Sequence, residues 1–284
     1  MRLDDSRESQ NVEDRRGQRS PMRGRGKIGL GGIVLALVAI YFGVDPSVVL
    51  QNMVEPVSTE YSAPADGPAS DAETRFVSKV LADTEDSWGP IFKANNWGSY
   101  QAPKLVLFTG STPTACGQGQ AAMGPFYCPG DSKVYLDLSF FRQMAQELDS
   151  PGDFAQAYVI AHEVGHHVQH LLGITDKTDQ LRRRASTAQA NQLSVRVELQ
   201  ADCFAGVWAN HSNTQRNTLE AGDIEEALNA ATAIGDDRLQ EQAQGYVVPD
   251  SFTHGSSAQR VNWFTRGFKS GNIKQCDTFN ASSL

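Results

Sequence analysis

The chain has 284 residues, an ordinary globular hydrophobic share of 40% and a formal net charge of −8. That length can bury a full-sized core, and the composition excludes bulk disorder. The negative charge, with no basic aromatic-studded stripe in the body of the chain, argues against nucleic acid as a partner.

Residues 1–27 set Arg2, Arg7, Arg15, Arg16, Arg19, Arg23, Arg25 and Lys27 against five acids and read as a disordered basic tail in the cytoplasm. Residues 28–44 (IGLGGIVLALVAIYFGV) carry no charge. Their length is at the short end of the ~17–25 residues that span a bilayer as a helix. Asp45 and Pro46 end the run, and the RGRGK flank predicts that the N-terminus stays inside while the rest of the chain lies outside. A cleaved signal peptide competes with this single-pass anchor. The long n-region and the lack of a small-x-small site count against it. A buried core helix would need a polar face that the run lacks. Residues 45–70, rich in Pro, Ser, Ala and Asp, read as a linker. Residues 71–284 read as the folded domain.

Within that domain, Phe76, Val80, Leu81, Trp88, Ile91 and Phe92 recur at helical spacing between Asp71 and Asn95. KLVLF (104–108) and KVYLDL (133–138) are short, β-prone and bounded by turn residues. Pro151-Gly152-Asp153 starts a helix that runs to Gly173, and further helices are predicted over 192–209, from Asp223 to Gly235, and over 256–268. The class is therefore helix-rich α+β. Four cysteines fit export. Cys116 and Cys128 bracket a Gly-rich loop as a local bridge, which leaves Cys203 and Cys276 to tie a mid-chain helix to the C-terminus. A structural zinc on the four lacks any C-x2-C pair, and unpaired buried thiols are the bland option.

YVIAHEVGHHVQHLLG (158–173) carries the chemistry. His162, Glu163 and His166 form an H-E-x-x-H motif. Positions i and i+4 share a helix face, so the two imidazoles can grip one metal ion. Glu163, beside the first ligand, can take a proton from an activated water. A solvated His/Glu face is the bland alternative, but Val159, Ile160, Ala161, Val164, Val168 and Leu171 mark a buried helix whose polar groups need partners. A third ligand is required. The H-E-x-x-H-x-x-G-x-x-H class is excluded, because Gln169 and Leu172 stand at its positions. Glu198, on the later helix, supplies the ligand instead. Asp202, one turn on, can hold a ligand imidazole by hydrogen bond. His167 and His170 read as surface or outer residues. His254, in a loop capped into the last helix, can stabilise an oxyanion; Arg260 can orient a ligand carboxylate or bind substrate.

HEVGHHVQ, ELQADCFAG, GDFAQAYVIAHE, GPFYCP, AIGDDRLQ and FTHGSSAQRVNWF, with RESQNVEDRRG near the N-terminus, together resemble the neutral zinc metallopeptidase family of bacterial membrane-anchored proteins. The resemblance implies a zincin-like fold of the gluzincin type. It also implies one Zn2+ per chain, an inner-membrane location with the peptidase domain on the periplasmic or extracellular side, and peptide or protein substrates. More distantly the chain is similar to the Ste24/HtpX-like membrane peptidases, which have Pro after the His of the last motif where this chain has Gly255. The expected reaction is hydrolysis of a peptide bond by a zinc-activated water, with KVYLDL as the sheet-edge strand that lays out the substrate. A metal-binding regulatory or chaperone-like protein without proteolytic activity, or an amidase acting on cell-wall peptides, are the rival readings.

Overall fold

A computed structural model describes residues 1–17, 71–148, 150–281 and 284. The expected membrane span (28–44) and linker (45–70) lie outside the described residues. Among the described residues no helix is long and apolar enough to cross a membrane.

The architecture is helix-rich α+β. Strand β1 (Val12–Asp14) precedes helix α1 (Asp71–Ala94), and β2 (Lys104–Leu107) follows. Next come a hairpin of β3 (Ser111–Thr114) and β4 (Gly117–Gln120), then β5 (Phe126–Cys128) and β6 (Lys133–Leu136). The remaining helices are α2 (Ser139–Glu147), α3 (Asp153–Leu171), α4 (Ile174–Arg182), α5 (Thr187–Arg216), α6 (Asp223–Ala233), α7 (Asp236–Gln244) and α8 (Ser257–Ser270).

The main sheet has strand order β1-β2-β6-β5, with β5 antiparallel to β6 and the other pairs parallel. Alternation along β2 and β6 divides their side chains between two faces. Leu105, Leu107, Val134 and Leu136 join the main core with the helices, while Val106, Phe108 and Tyr135 pack with Cys128 on the other face. KVYLDL is therefore central, flanked by β2 and β5, and is not the sheet edge expected of it. Its Val134, Tyr135 and Leu136 in succession suit burial on both sides. The edge nearest α3 is β5, whose Tyr127 hydroxyl lies 3.0 Å from His167 Nδ1.

Residues 1–17 correct the expectation of a disordered tail. β1 extends the sheet by parallel pairing with β2, and Leu3 is buried in the core. Lys79 donates to the carbonyls of Leu3 and Asp4, and Arg7 pairs with Glu85 and Asp86. The charges that suggested a solvated tail thus have partners: Arg7 in α1, Arg15 and Arg16 in Glu13 and Asp14 of the tail itself, and Arg2 in the Leu219 carbonyl. Residues 1–17 thus pack on the same body as α1 and β2, where the sequence reading sets them apart from it.

Two close helix crossings set the site. α3 meets α5 at Gly165, where an added Cβ would stand 3.0 Å from the Ala201 carbonyl oxygen. α5 meets α8 more tightly still: a Cβ on Gly206 would stand 2.1 Å from the Phe264 carbonyl oxygen. Ser186 and Ser256 begin α5 and α8 with reciprocal capping boxes to Gln189 and Gln259. Disulfides join Cys116 to Cys128 and Cys203 to Cys276.

Candidate metal centre

α3 carries His162, Glu163 and His166, and α5 carries Glu198 and Asp202. The Gly165 crossing brings the two sets together. The ligand atoms of His162, His166 and Glu198 all lie within 4.8 Å of one another. His162 Nε2 is 3.1 Å from Glu198 Oε2 and 3.1 Å from His166 Nε2, and His166 Nε2 is 3.5 Å from Glu198 Oε1.

Each imidazole is held from behind. His162 Nδ1 donates to Asp202 Oδ1 at 2.8 Å, and His166 Nδ1 donates to Gln169 Oε1 at 2.9 Å. With the ring protons placed there, both Nε2 lone pairs face each other and the Glu198 carboxylate. Three acceptors that converge so closely call for a positive charge between them, a proton or a metal ion in its place. Two imidazoles and one carboxylate are a donor set that suits zinc and leaves a coordination position open.

Electrostatics point the same way. Burial opposes charge on His162, but Asp202 outweighs it and lifts the imidazole to about 10. Burial alone would raise the Asp202 carboxyl, yet Arg260 and His162 hold it at about 2. Asp202 also accepts from the Tyr158 hydroxyl at 2.5 Å and from Arg260 Nε and Nη2, each at 2.9 Å. The trio therefore sits in a buried framework that favours positive charge at its centre.

Glu163 is buried beside the trio, and burial raises its carboxyl while His166 and His162 pull it down; the net shift is upward. A carboxylate with strengthened proton affinity suits a general base. His254 is not bonded to the trio. Its Nδ1 lies 3.2 Å from Asp236 Oδ1, and its backbone N–H donates to Asp236 Oδ2 at 2.6 Å. The next residue, Gly255, adopts φ +91° against Val195 and Leu199, which flank Glu198 in α5. Proline, locked near −65°, could not make that turn, which accounts for glycine at this position.

Some neighbours escaped the sequence reading. His167 is buried rather than superficial, with Nε2 donating to the Gln101 carbonyl at 2.6 Å. Tyr158 precedes His162 by four residues and Gln169 follows His166 by three, so the helical period that found the ligands also pointed at both partners.

A family model described as "Putative neutral zinc metallopeptidase" matches residues 1–279. The chain belongs to this family. The match includes the N-terminal strand as well as the metal centre. The uncharacterized protein YpfJ of Escherichia coli K12 is 55% identical over 290 residues, which is 99% of this chain and 100% of that protein. An uncharacterized protein of Mycobacterium bovis, Mb2605, is 41% identical over 261 residues, 87% of this chain and 86% of its own. No solved structure matches the chain. The family supports zinc as the metal and peptide hydrolysis as the class of activity.

Proposed function

We propose that the chain is a zinc-dependent endopeptidase of zincin-like, gluzincin-type fold, with one zinc per chain held by His162, His166 and Glu198. The observation that carries the reading is the converging trio with a buried glutamate, Glu163, at its side. A site that only stored or sensed metal would have no use for that carboxylate, which weighs against the regulatory or chaperone-like alternative.

Bound zinc supplies a Lewis acid that polarises a carbonyl and acidifies water. Glu163 takes the proton on its carboxylate and delivers it to the leaving amine. Asp202, backed by Arg260 and Tyr158, keeps the proton of His162 on Nδ1. His254, steadied by Asp236, offers a hydrogen bond to the oxyanion. The substrate chain adds to the sheet at its edge strand β5, beside α3. Two disulfides support an oxidising, periplasmic or extracellular setting. Attachment to the bacterial inner membrane through residues 28–44 belongs to the same proposal, amended so that residues 1–17 stay with the domain.

The test compares the full chain with Glu163→Gln, measuring zinc content and cleavage of an unstructured polypeptide. The proposal expects near-equal zinc in both and a cleavage rate at least ~100-fold lower in the variant, the scale of a lost general base. Zinc in both with equal cleavage would remove Glu163 from the reaction; zinc in both with cleavage by neither would favour the binding role.

A further inference from the structure

His162 and His166 are ligands of the same type on one helix, yet they are held by different chemistry. Behind His162 stands a carboxylate paired to a guanidinium. Behind His166 stands a neutral amide, Gln169, which is fully buried. We infer that Gln169 orients His166 for the metal, and that two backbone carbonyls, of Val197 and of Cys276, fix the direction of the Gln169 amide. The inference rests on the zinc reading of the trio.

The direction follows from which atoms can only accept. Gln169 Nε2 is 2.7 Å from the Val197 carbonyl oxygen and 3.1 Å from Gln200 Oε1. Gln200 Nε2 is in turn 2.9 Å from the Cys276 carbonyl oxygen. A backbone carbonyl cannot donate, so each must face an amide N–H. Turning Gln169 over would set its oxygen against the Val197 oxygen. Turning Gln200 over would set its oxygen against the Cys276 oxygen. Both amides are thus locked, and the one atom that Gln169 can offer His166 is an acceptor. His166 must then carry its proton on Nδ1, leaving Nε2 for the metal.

The relay joins three parts of the chain: α3, α5 and the turn at Ile273–Cys276. That turn is fastened to α5 by the Cys203–Cys276 disulfide. Gln169 is a positioning residue, since it touches His166 and not the metal or substrate.

The test uses the full chain with Gln169→Met, which keeps the length and removes the acceptor, and with Gln169→Glu, which keeps an acceptor toward His166. Zinc affinity is measured by competition with a chelator. The hydrogen-bonded Nδ1–H of His166 is followed by NMR in zinc-loaded, 15N-histidine-labelled protein. The expected result is a ~10–100-fold loss of zinc affinity in Gln169→Met, the scale for losing an outer partner of a metal ligand, with loss of that Nδ1–H signal. Gln169→Glu retains the signal and falls between Gln169→Met and the wild type in affinity, since its second oxygen replaces the N–H that faces the Val197 carbonyl. Should Gln169→Met fail to fold, Gln200→Met decides: it should weaken zinc binding by several-fold, and wild-type affinity with an unchanged Nδ1–H signal there overturns the inference. Wild-type affinity and signal in a folded Gln169→Met overturn it as well, leaving the zinc reading intact. Absence of zinc binding by the wild type overturns both.

Discussion

Asp202→Asn alters a single functional group at the centre of the buried network. Asp202 is 0% exposed and Arg260 is 2% exposed, so neither charge has recourse to solvent. Asparagine keeps the volume, and no cavity term enters. The carboxylate oxygens serve only donors: Tyr158 hydroxyl, His162 Nδ1 and Arg260 Nη2 on Oδ1, and Arg260 Nε on Oδ2. An amide has one oxygen, so its NH2 must oppose one of these donors whichever way it lies. Arg260 is left without its carboxylate. Removing one member of a buried pair costs about 3–5 kcal/mol, and that is the destabilisation expected. It should be read by urea unfolding of disulfide-intact protein kept metal-free with a chelator, so that zinc linkage does not enter. Adding Arg260→Met should return part of the loss, since only an unpaired amide N–H, worth about 1–3 kcal/mol, then remains. Zinc affinity should fall ~10–100-fold in both variants. A loss below ~1 kcal/mol for Asp202→Asn, or a double variant as unstable as the sum of its parts, would refute this account of the network.

His167 is 1% exposed and burial pushes its imidazole down to about 4. The unfolded chain takes up a proton near 6.5, so this group lowers stability as pH falls from 6.5 to 4, by about 3 kcal/mol in total. Urea midpoints of wild type and His167→Gln across that range should differ by a margin that changes by this amount; parallel curves would contradict it. The Cys203–Cys276 bridge spans 73 residues. Its removal in Cys203→Ala/Cys276→Ala should cost about 4 kcal/mol on the chain-entropy scale, and a thermal midpoint equal to that of the wild type would count against the bridge as a staple. Topology can be read with an impermeant maleimide on intact cells carrying Glu8→Cys or Lys269→Cys, both at exposed positions. The packing of β1 on β2 predicts that both cysteines label from the same side, and opposite labelling would refute it.

The metal trio was legible in the sequence because helical period alone brings His162 to His166 and Glu198 to Asp202. The starts of α3 and α6 were legible from Gly-Asp signals, and the start of α8 from a serine cap. The helix over 192–209 proved much longer, Thr187–Arg216, because its ends are polar and show no apolar stripe. The same polarity hid the short helices α4 and α7, while α2 carries an apolar pair, Phe141 and Met144, on too short a segment to be read alone. β5 is three residues between Gly-Pro and Pro-Gly turns, too short for alternation to show. β1 lay in the most charged stretch of the chain. Its Glu13 pairs with Arg15 and Lys133 and its Asp14 with Arg16, and only long-range pairing with β2 makes a strand of it. The acceptors for Arg260 and for the amide of Gln169 come from distant helices, so no local pattern could name them. The strand over 133–138 showed its β-character but not its place in the sheet, because position in a sheet depends on partners that a run of residues does not specify.

The most direct test of the central claim is a zinc titration of the metal-stripped full chain while cleavage of an unstructured polypeptide is followed. The account predicts no cleavage at the start, a rise in proportion to added zinc, and a break near one equivalent per chain. Cleavage by the stripped protein at the full rate, or saturable zinc binding with no cleavage at any ratio, would contradict it.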